Sequence, residues 1–277
     1  MENKEHTLVT RLVGSLVSYM RRFLFRVLSV GPVPNHLAFI LDGNRRYAKK
    51  WNLGEGMGHR AGFLALMTLM KYCYELGVKY VTIYAFSIDN FRRRPDEVQY
   101  VMDLMLEKIE GLLKEESIVN QYGVKVLFIG NLKLLHEPVR IAAEKAMKAT
   151  SNNNQSILLI CVAYTSTDEI VHSAQECCDE IRSSMKVNEE KDVKSDLIKL
   201  GDIERHMYMG VAPDVDILIR TSGETRLSNF LLWQTTDCLL YSPKALWPEI
   251  GLRHIVWGVL NFQRIYPYLE KRRKKQL

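Results

Sequence analysis

Asp42, Gly43, Asn44, Arg45 and Arg46 follow directly on the apolar run LAFIL. Two similar clusters recur further along. Ser87, Asp89, Asn90, Phe91, Arg92, Arg93 and Arg94 close KYVTIYAFS and the loop after it, and Arg220 to Ser228 (RTSGETRLS) ends DVDILIR and continues beyond it. Each cluster joins guanidinium groups to amide or hydroxyl donors at the end of an apolar, β-branched run. A surface that needed only solubility would scatter these charges and mix lysine with arginine. The planar fork of arginine instead suits bidentate contact with phosphate oxygens. Gly43 would let the backbone approach closely, and a helix starting after it would aim free N–H groups at an anion. Pairing of these arginines with surface carboxylates is the alternative. A lone carboxylate, Asp42, set among phosphate binders would repel the ligand unless a divalent cation stood between them. Magnesium is the natural bridge, held by one or two carboxylates plus substrate phosphate oxygens. A plain N-cap role would explain the aspartate but not the arginines around it.

Such clusters work only if the chain brings them to one place. LAFIL reads as a strand covered on both faces. Helical periodicity over Gly62 to Leu76, ended by Gly77, is followed by a strand over Lys79 to Ser87. Pro95 opens a helix reaching about Gln121. Val124–Gly130 is a strand, His136–Thr150 a helix, Ser156–Tyr164 a strand and Thr167–Ser183 a helix. The polar stretch MKVNEEKDVKSD is expected to be a mobile connector. Asp214–Arg220 and Cys238–Ser242 complete six strands, and a last helix runs from Leu252 to about Tyr266. The alternation predicts an α/β single domain with a mostly parallel six-stranded sheet flanked by helices. Open sheets of this kind bind ligands beyond the carboxyl ends of their strands, which is where the three clusters fall.

The 277 residues can bury one substantial core. A formal charge of +6 suits nucleic acid, anionic lipid or a phosphorylated substrate without choosing among them. Nucleic acid is disfavoured, because no strand face interleaves aromatic with basic residues and no known module is recognisable. Five cysteines without paired metal spacing read as reduced thiols. No stretch reaches the roughly 18 consecutive apolar residues of a spanning helix. Residues 1–30 have apolar positions at helical spacing, from Leu8 to Leu28, interrupted by Arg11, Arg21, Arg22 and Arg26. They predict a basic amphipathic helix, lying on a membrane or packed on its own domain, and not a signal peptide. GPVP at 31–34 ends it. The tail KRRKK, within 269–277, is either solvated or an added attraction for an anionic leaflet. GEGMGH lacks dinucleotide-loop spacing, and no Walker loop, HExxH, nucleophile elbow or DDxxD pair occurs.

HLAFILDGNRRYAKK, YAFSIDNFRRRPDEV and DILIRTSGETRLSNFLLWQ, in this order and with LWPE downstream, closely resemble the cis-prenyltransferases over about Gly31 to Gln263. The eukaryotic dehydrodolichyl diphosphate synthases are the nearer branch and the bacterial undecaprenyl diphosphate synthases a further one. The resemblance implies an α/β sheet enclosing a hydrophobic tunnel, with the catalytic domain over residues 31–268. It implies magnesium-dependent elongation of an allylic diphosphate such as farnesyl diphosphate by isopentenyl diphosphate, each new double bond being cis. The product would be of dolichol type, with rubber-type polymers as the alternative. By motif, Asp42 is the metal-binding catalytic aspartate. Gly43, Asn44, Arg45, Arg46 and Tyr47 cradle the allylic diphosphate, with His59 nearby. Asn90 assists proton removal from the extending unit, flanked by Ser87, Ile88, Asp89, Phe91 and Arg93. Arg220, Arg226, Leu227 and Ser228 hold isopentenyl diphosphate. Leu64, Leu66, Met67, Leu69, Met102, Leu104, Met105 and Leu106 are candidates for the tunnel wall, or for ordinary core.

The chain also departs from the family pattern. Glu55 and Met57 stand where bacterial members carry a third phosphate-binding arginine, and Leu239 replaces a bacterial metal-ligand glutamate, so metal binding would be completed otherwise. The C-terminal arginine-x-glycine signature of single-subunit members is missing. Its absence resembles eukaryotic catalytic subunits that pair with a subunit of the Nogo-B receptor type, which supplies that arginine. The expectation is a heteromer at the cytosolic face of the endoplasmic reticulum membrane. A non-catalytic scaffold of the same fold is the rival, but such partners lose the aspartate and arginine motifs and keep the C-terminal signature, the reverse of this sequence.

Overall fold

Short apolar segments bounded by turns pair edge to edge here, and the central ones are covered on both faces. A computed structural model describes residues 2–54, 56–112, 118–187 and 198–274. Strands β1 (His36–Ile40), β2 (Tyr80–Ser87), β3 (Val124–Ile129), β4 (Ser156–Tyr164), β5 (Ile217–Arg220) and β6 (Leu239–Tyr241) form one sheet of order β3-β4-β2-β1-β5-β6. Every pairing is parallel. The prediction of a mostly parallel sheet is therefore met in full. Central β1 is buried at all five positions, and on β4 only Ile157 is not. Burying a side chain such as Phe39 or Leu159 stabilises the fold by about 2 kcal/mol.

The helices are α1 (Glu2–Leu28), α2 (Asn44–Lys50), α3 (Met57–Leu76), α4 (Pro95–Leu112), α5 (Ile118–Gln121), α6 (Glu137–Ala149), α7 (Ser166–Val187), α8 (Leu200–His206) and α9 (Leu252–Arg273). The helix opened by Pro95 is described over Pro95–Leu112 and Ile118–Gln121, and residues 113–117 between them lie outside the described residues. One predicted boundary moves. The last helix continues past Pro267, because its final turn is docked through Arg272 to Asp237 and through Arg273 to Asp216. Arg272 and Arg273 are thus engaged by the domain. Glu55, the connector residues 188–197 and the end of the tail, 275–277, lie outside the described residues.

The amphipathic reading of the first helix resolves into two faces. Phe25 and Leu28 are buried, with Phe25 edge-on to Tyr72 of α3, and Arg21 binds Glu75 of α3 at 2.7 Å. Val17, Tyr19, Met20 and Phe23 stay exposed. No helix among the described residues is long and apolar enough to cross a membrane.

Candidate active site

The parallel sheet delivers the ends of β1, β2 and β5 to one rim. Below it a cavity of about 770 Å³ runs between the sheet, α3 and α4. Its lining is polar at the rim, with Asp42, Asn44, Arg45, His59, Ser87, Asp89, Asn90, Arg93, Arg220, Arg226 and Ser228, and apolar below. Of the sequence-predicted residues, Gly43, Arg46, Tyr47, Ile88, Phe91 and Leu227 are not in the lining. Arg46 nonetheless reaches the centre, as its contact with Asp42 shows.

Asp42 is held in two ways. Its backbone carbonyl accepts from Thr221 Oγ1 (2.6 Å), Ser222 Oγ (2.8 Å) and the Trp247 amide (2.9 Å). Its carboxylate accepts from Arg220 Nη2 at 2.9 Å and Arg46 Nη2 at 3.0 Å. Burial pushes the Asp42 carboxyl up, but the hydrogen bonds and charges of Arg220 and Arg46 together outweigh it and hold the group below the usual aspartate value. It is an anion at neutral pH.

Gly43 takes φ 115°, and an added Cβ would lie 2.6 Å from Ser222 Oγ. Only glycine lets the loop after β1 lie against the loop after β5. No side chain caps α2, which starts at the next residue. Gly62 on α3 is equally constrained. A Cβ there would meet Asn44 Oδ1 at 2.2 Å, and its carbonyl accepts from Trp247 Nε1 at 2.9 Å. Asn44 Oδ1 is buried with no protein partner.

Arg220, itself buried, donates through Nη1 to the Arg226 carbonyl and to Ser228 Oγ (2.7 Å), so one guanidinium links Asp42 to the loop after β5. Arg226 pairs with Glu224, and Glu224 approaches Arg46 at 3.8 Å. Across the mouth, Arg93 and Arg45 share Glu97 at 2.8 and 3.5 Å. The carboxylate pairing weighed as an alternative is therefore present for several arginines, yet more cations than anions face the rim. Burial, then the charges of Arg93 and Arg45, lower the His59 pKa, so this ring is neutral at pH 7. Asn90 Oδ1 accepts from the Ser87 amide and Ser87 Oγ from the Asp89 amide, both at 3.1 Å, which fixes the turn after β2.

Half of the proposed wall residues face the cavity: Leu66, Met67, Leu104 and Met105. Leu64 points to solvent, Leu69 and Met102 are sealed in the core, and Leu106 packs against it. A step of one or two helical residues turns a side chain by about 100° or more, which separates these sets. The sequence reading missed Lys108, Ile109 and Leu112, one and two turns beyond Met105 on α4, although i, i+3, i+4 spacing marks them. It also missed Phe128, Leu158 and Ile160 at the sheet floor, and Trp247, which carries no chemical signature. Leu239 sits on β6 outside this lining. Among the described residues no three His, Cys, Asp or Glu side chains converge as a metal site.

A rim rich in arginine over a cavity lined by apolar side chains has the shape and charge to suit molecules with an anionic head and a hydrocarbon body. The chain belongs to the undecaprenyl diphosphate synthase family of prenyltransferases, which matches residues 40–268, and it is a cis-prenyltransferase. It is 59% identical to a dehydrodolichyl diphosphate synthase of Solanum lycopersicum over 99% of this chain and 100% of that one. It is also 59% identical to a rubber cis-polyprenyltransferase of Hevea brasiliensis over 98% of each chain. The mouse dehydrodolichyl diphosphate synthase complex subunit is 40% identical, covering 93% of this chain and 75% of that one. Among solved structures, lavandulyl diphosphate synthase from Lavandula x intermedia, crystallised with dimethylallyl diphosphate, superposes with a TM-score of 0.75 at 28% identity, over 83% of this chain and 95% of that one.

Proposed function

We propose that this chain is the catalytic subunit of a dehydrodolichyl diphosphate synthase, which extends farnesyl diphosphate by successive isopentenyl diphosphate units. The observation that carries the reading is the ionised Asp42 carboxylate, gripped by Arg46 and Arg220 at the mouth of an apolar cavity. In each cycle the allylic C–O bond breaks, a C–C bond forms to the isopentenyl double bond, and a proton leaves the new unit. Asn44, Arg45, Arg46 and the Gly43 turn cradle the allylic diphosphate, with neutral His59 beside it. Arg220, Arg226 and Ser228 hold the isopentenyl diphosphate. Asn90, fixed by Ser87, sits where proton removal is assisted. The hydrocarbon body lies in the cavity against Leu66, Met67, Leu104 and Met105, which exclude water.

Magnesium fits the donor set. A hard cation needs oxygen ligands, and Asp42 offers an anionic carboxylate whose partner Arg46 is half exposed and exchangeable, with substrate phosphates supplying the rest. When bound there, it would supply charge neutralisation for the departing diphosphate.

The 40% identity to a subunit of the mouse dehydrodolichyl diphosphate synthase complex supports a heteromer, which we read as one with a partner of the Nogo-B receptor type. The exposed apolar face of α1 supports peripheral attachment at the cytosolic face of the endoplasmic reticulum. Co-expression with such a partner, labelled isopentenyl diphosphate and product sizing test the whole reading. Dolichol-length product that needs the partner and vanishes with Asp42→Ala supports it. Full-rate extension by the chain alone overturns the heteromer, and far longer polymer favours the reading suggested by the Hevea relative.

A further inference from the structure

The loop after β5 is held in a costly conformation. Ser228, Asn229 and Leu231 all adopt left-handed backbone angles, with φ of 51°, 57° and 48°. Only asparagine tolerates this region easily, and such clusters persist when their surroundings over-determine them. Two anchors do so here. At one end Asn229 takes over the first turn of α7. Its carbonyl accepts from the Ser166 amide (2.8 Å), its Oδ1 from the Thr167 amide (3.1 Å), and its Nδ2 donates to Thr167 Oγ1 (3.0 Å). Ser166 Oγ in turn accepts from the Leu232 amide at 2.9 Å. At the other end Gln234 donates to the fully buried Glu169 of α7 at 3.1 Å. Between them Phe230, fully buried, stacks on Tyr84 of β2 with ring centroids 4.3 Å apart.

Asn229 itself borders the cavity beside Ser228, but its side-chain amide is engaged by Thr167, and the geometry points to Asn229 as a positioning residue for the isopentenyl diphosphate subsite, acting through Ser228. Ser228 precedes it directly and fixes one Nη of Arg220, while the other Nη of Arg220 holds Asp42. Loosening Asn229 frees Ser228 and the adjoining Arg226 but leaves the Arg220–Asp42 contact and the α2 side of the rim in place. The effect therefore falls on one diphosphate and not on the other. This rests on the proposed assignment of Arg226 and Ser228 to isopentenyl diphosphate.

Calorimetric titration of the complex with the proposed partner subunit, using each diphosphate alone, which precludes reaction, tests it. Asn229→Ala is expected to weaken isopentenyl diphosphate by about tenfold, the loss of one or two well-placed hydrogen bonds, and to leave farnesyl diphosphate within about twofold. Thr167, outside the cavity lining, gives a second route. Thr167→Val is expected to weaken isopentenyl diphosphate alone, by about threefold, and Thr167→Ser to restore it. A fall in melting temperature with both affinities unchanged would make Asn229 a helix cap only and overturn the inference, as would equal weakening of both ligands. A wild-type complex that binds farnesyl but not isopentenyl diphosphate overturns the subsite assignment and this inference together. Wild-type binding with no change in the variants overturns the inference alone.

Discussion

Two aspartate–arginine pairs stand at opposite ends of the same sheet, Asp42–Arg220 at the rim and Asp216–Arg273 at the base, at 2.9 and 2.8 Å. In the base pair Asp216 Oδ2 accepts from the amides of Asn35 (2.6 Å) and His36 (3.0 Å), and Arg273 also donates to the carbonyls of Val215 and Asp237. The rim pair inverts this pattern. The backbone of Asp42 is clamped, while its carboxylate meets only side chains and is 23% exposed, against 7% for Asp216. A carboxylate wedded to backbone amides ties elements together, whereas one held by side chains can exchange partners for a ligand. On the proposed reading, identical ion-pair chemistry serves assembly at one end and turnover at the other.

Exchange of the two acids by neutral residues is the strongest way to break this contrast. Asp42→Asn is expected to cost turnover on the order of 10³-fold, the scale of one lost electrostatic group in an active site. Its melting temperature should stay near wild type. Asp216→Asn is expected to leave Arg273 and two amides poorly matched and to lose about 3 kcal/mol of stability. Equal destabilisation by the two, measured by denaturant unfolding beside turnover of the folded fraction, would erase the distinction. Gly62→Ala sharpens it with a smaller effect. The new methyl group would fall 2.2 Å from Asn44 Oδ1 and 2.8 Å from Trp247 Cδ1, and overpacking of this kind costs about 1–3 kcal/mol. Because Asn44 is the part able to shift, farnesyl diphosphate affinity should fall while isopentenyl diphosphate affinity holds. Titration with each ligand decides it.

The contrast also marks what the sequence could reveal. The strand ends were legible because short apolar, β-branched runs broke at Asp42, Ser87 and Arg220, and a parallel sheet must put such breaks on one edge. The three arginine-rich clusters of the rim followed from residue type, whereas His59 followed only from the family motif. The cavity wall was half legible, since Leu64 and Leu66 carry the same side chain and only helix phase separates solvent from cavity. Nothing in the residue types marked the base. Asp216, His36 and Arg273 lie 180 and 57 positions from their partners, and a buried pair built from such distant residues has no local signature. For the same reason the tail, read as solvated or lipid-facing, holds two arginines, Arg272 and Arg273, docked on acids.

The smallest effects concern two histidines, one at each end, whose pKa values are both depressed. At the base His36 is fully buried. Its Nδ1–H donates to the Pro213 carbonyl and its Nε2 accepts from Thr82, each at 2.7 Å, so the ring is neutral with a fixed tautomer. Burial is the main cause of its lowered pKa, opposed by Pro213 and the charge of Asp216. The unfolded chain binds this proton below about pH 6.5, so the contribution of His36 to stability is full above that value and is lost as pH falls beneath it. His36→Gln should flatten the decline in melting temperature between about pH 6.5 and 5.

His59 at the rim is depressed by burial and by Arg93 and Arg45, and an arriving diphosphate reverses the last two causes. Its pKa must then rise on binding, and near pH 6 the complex takes up a fraction of a proton. Titration of farnesyl diphosphate in buffers of different ionisation enthalpy reads this directly. Wild type and His36→Gln are expected to take up more protons than His59→Gln, since proton exchange by the diphosphate itself is common to all three. Uptake undiminished in His59→Gln would mean that the rim histidine is as isolated from the ligand as the base histidine, and the functional asymmetry between the two ends would lose its electrostatic support.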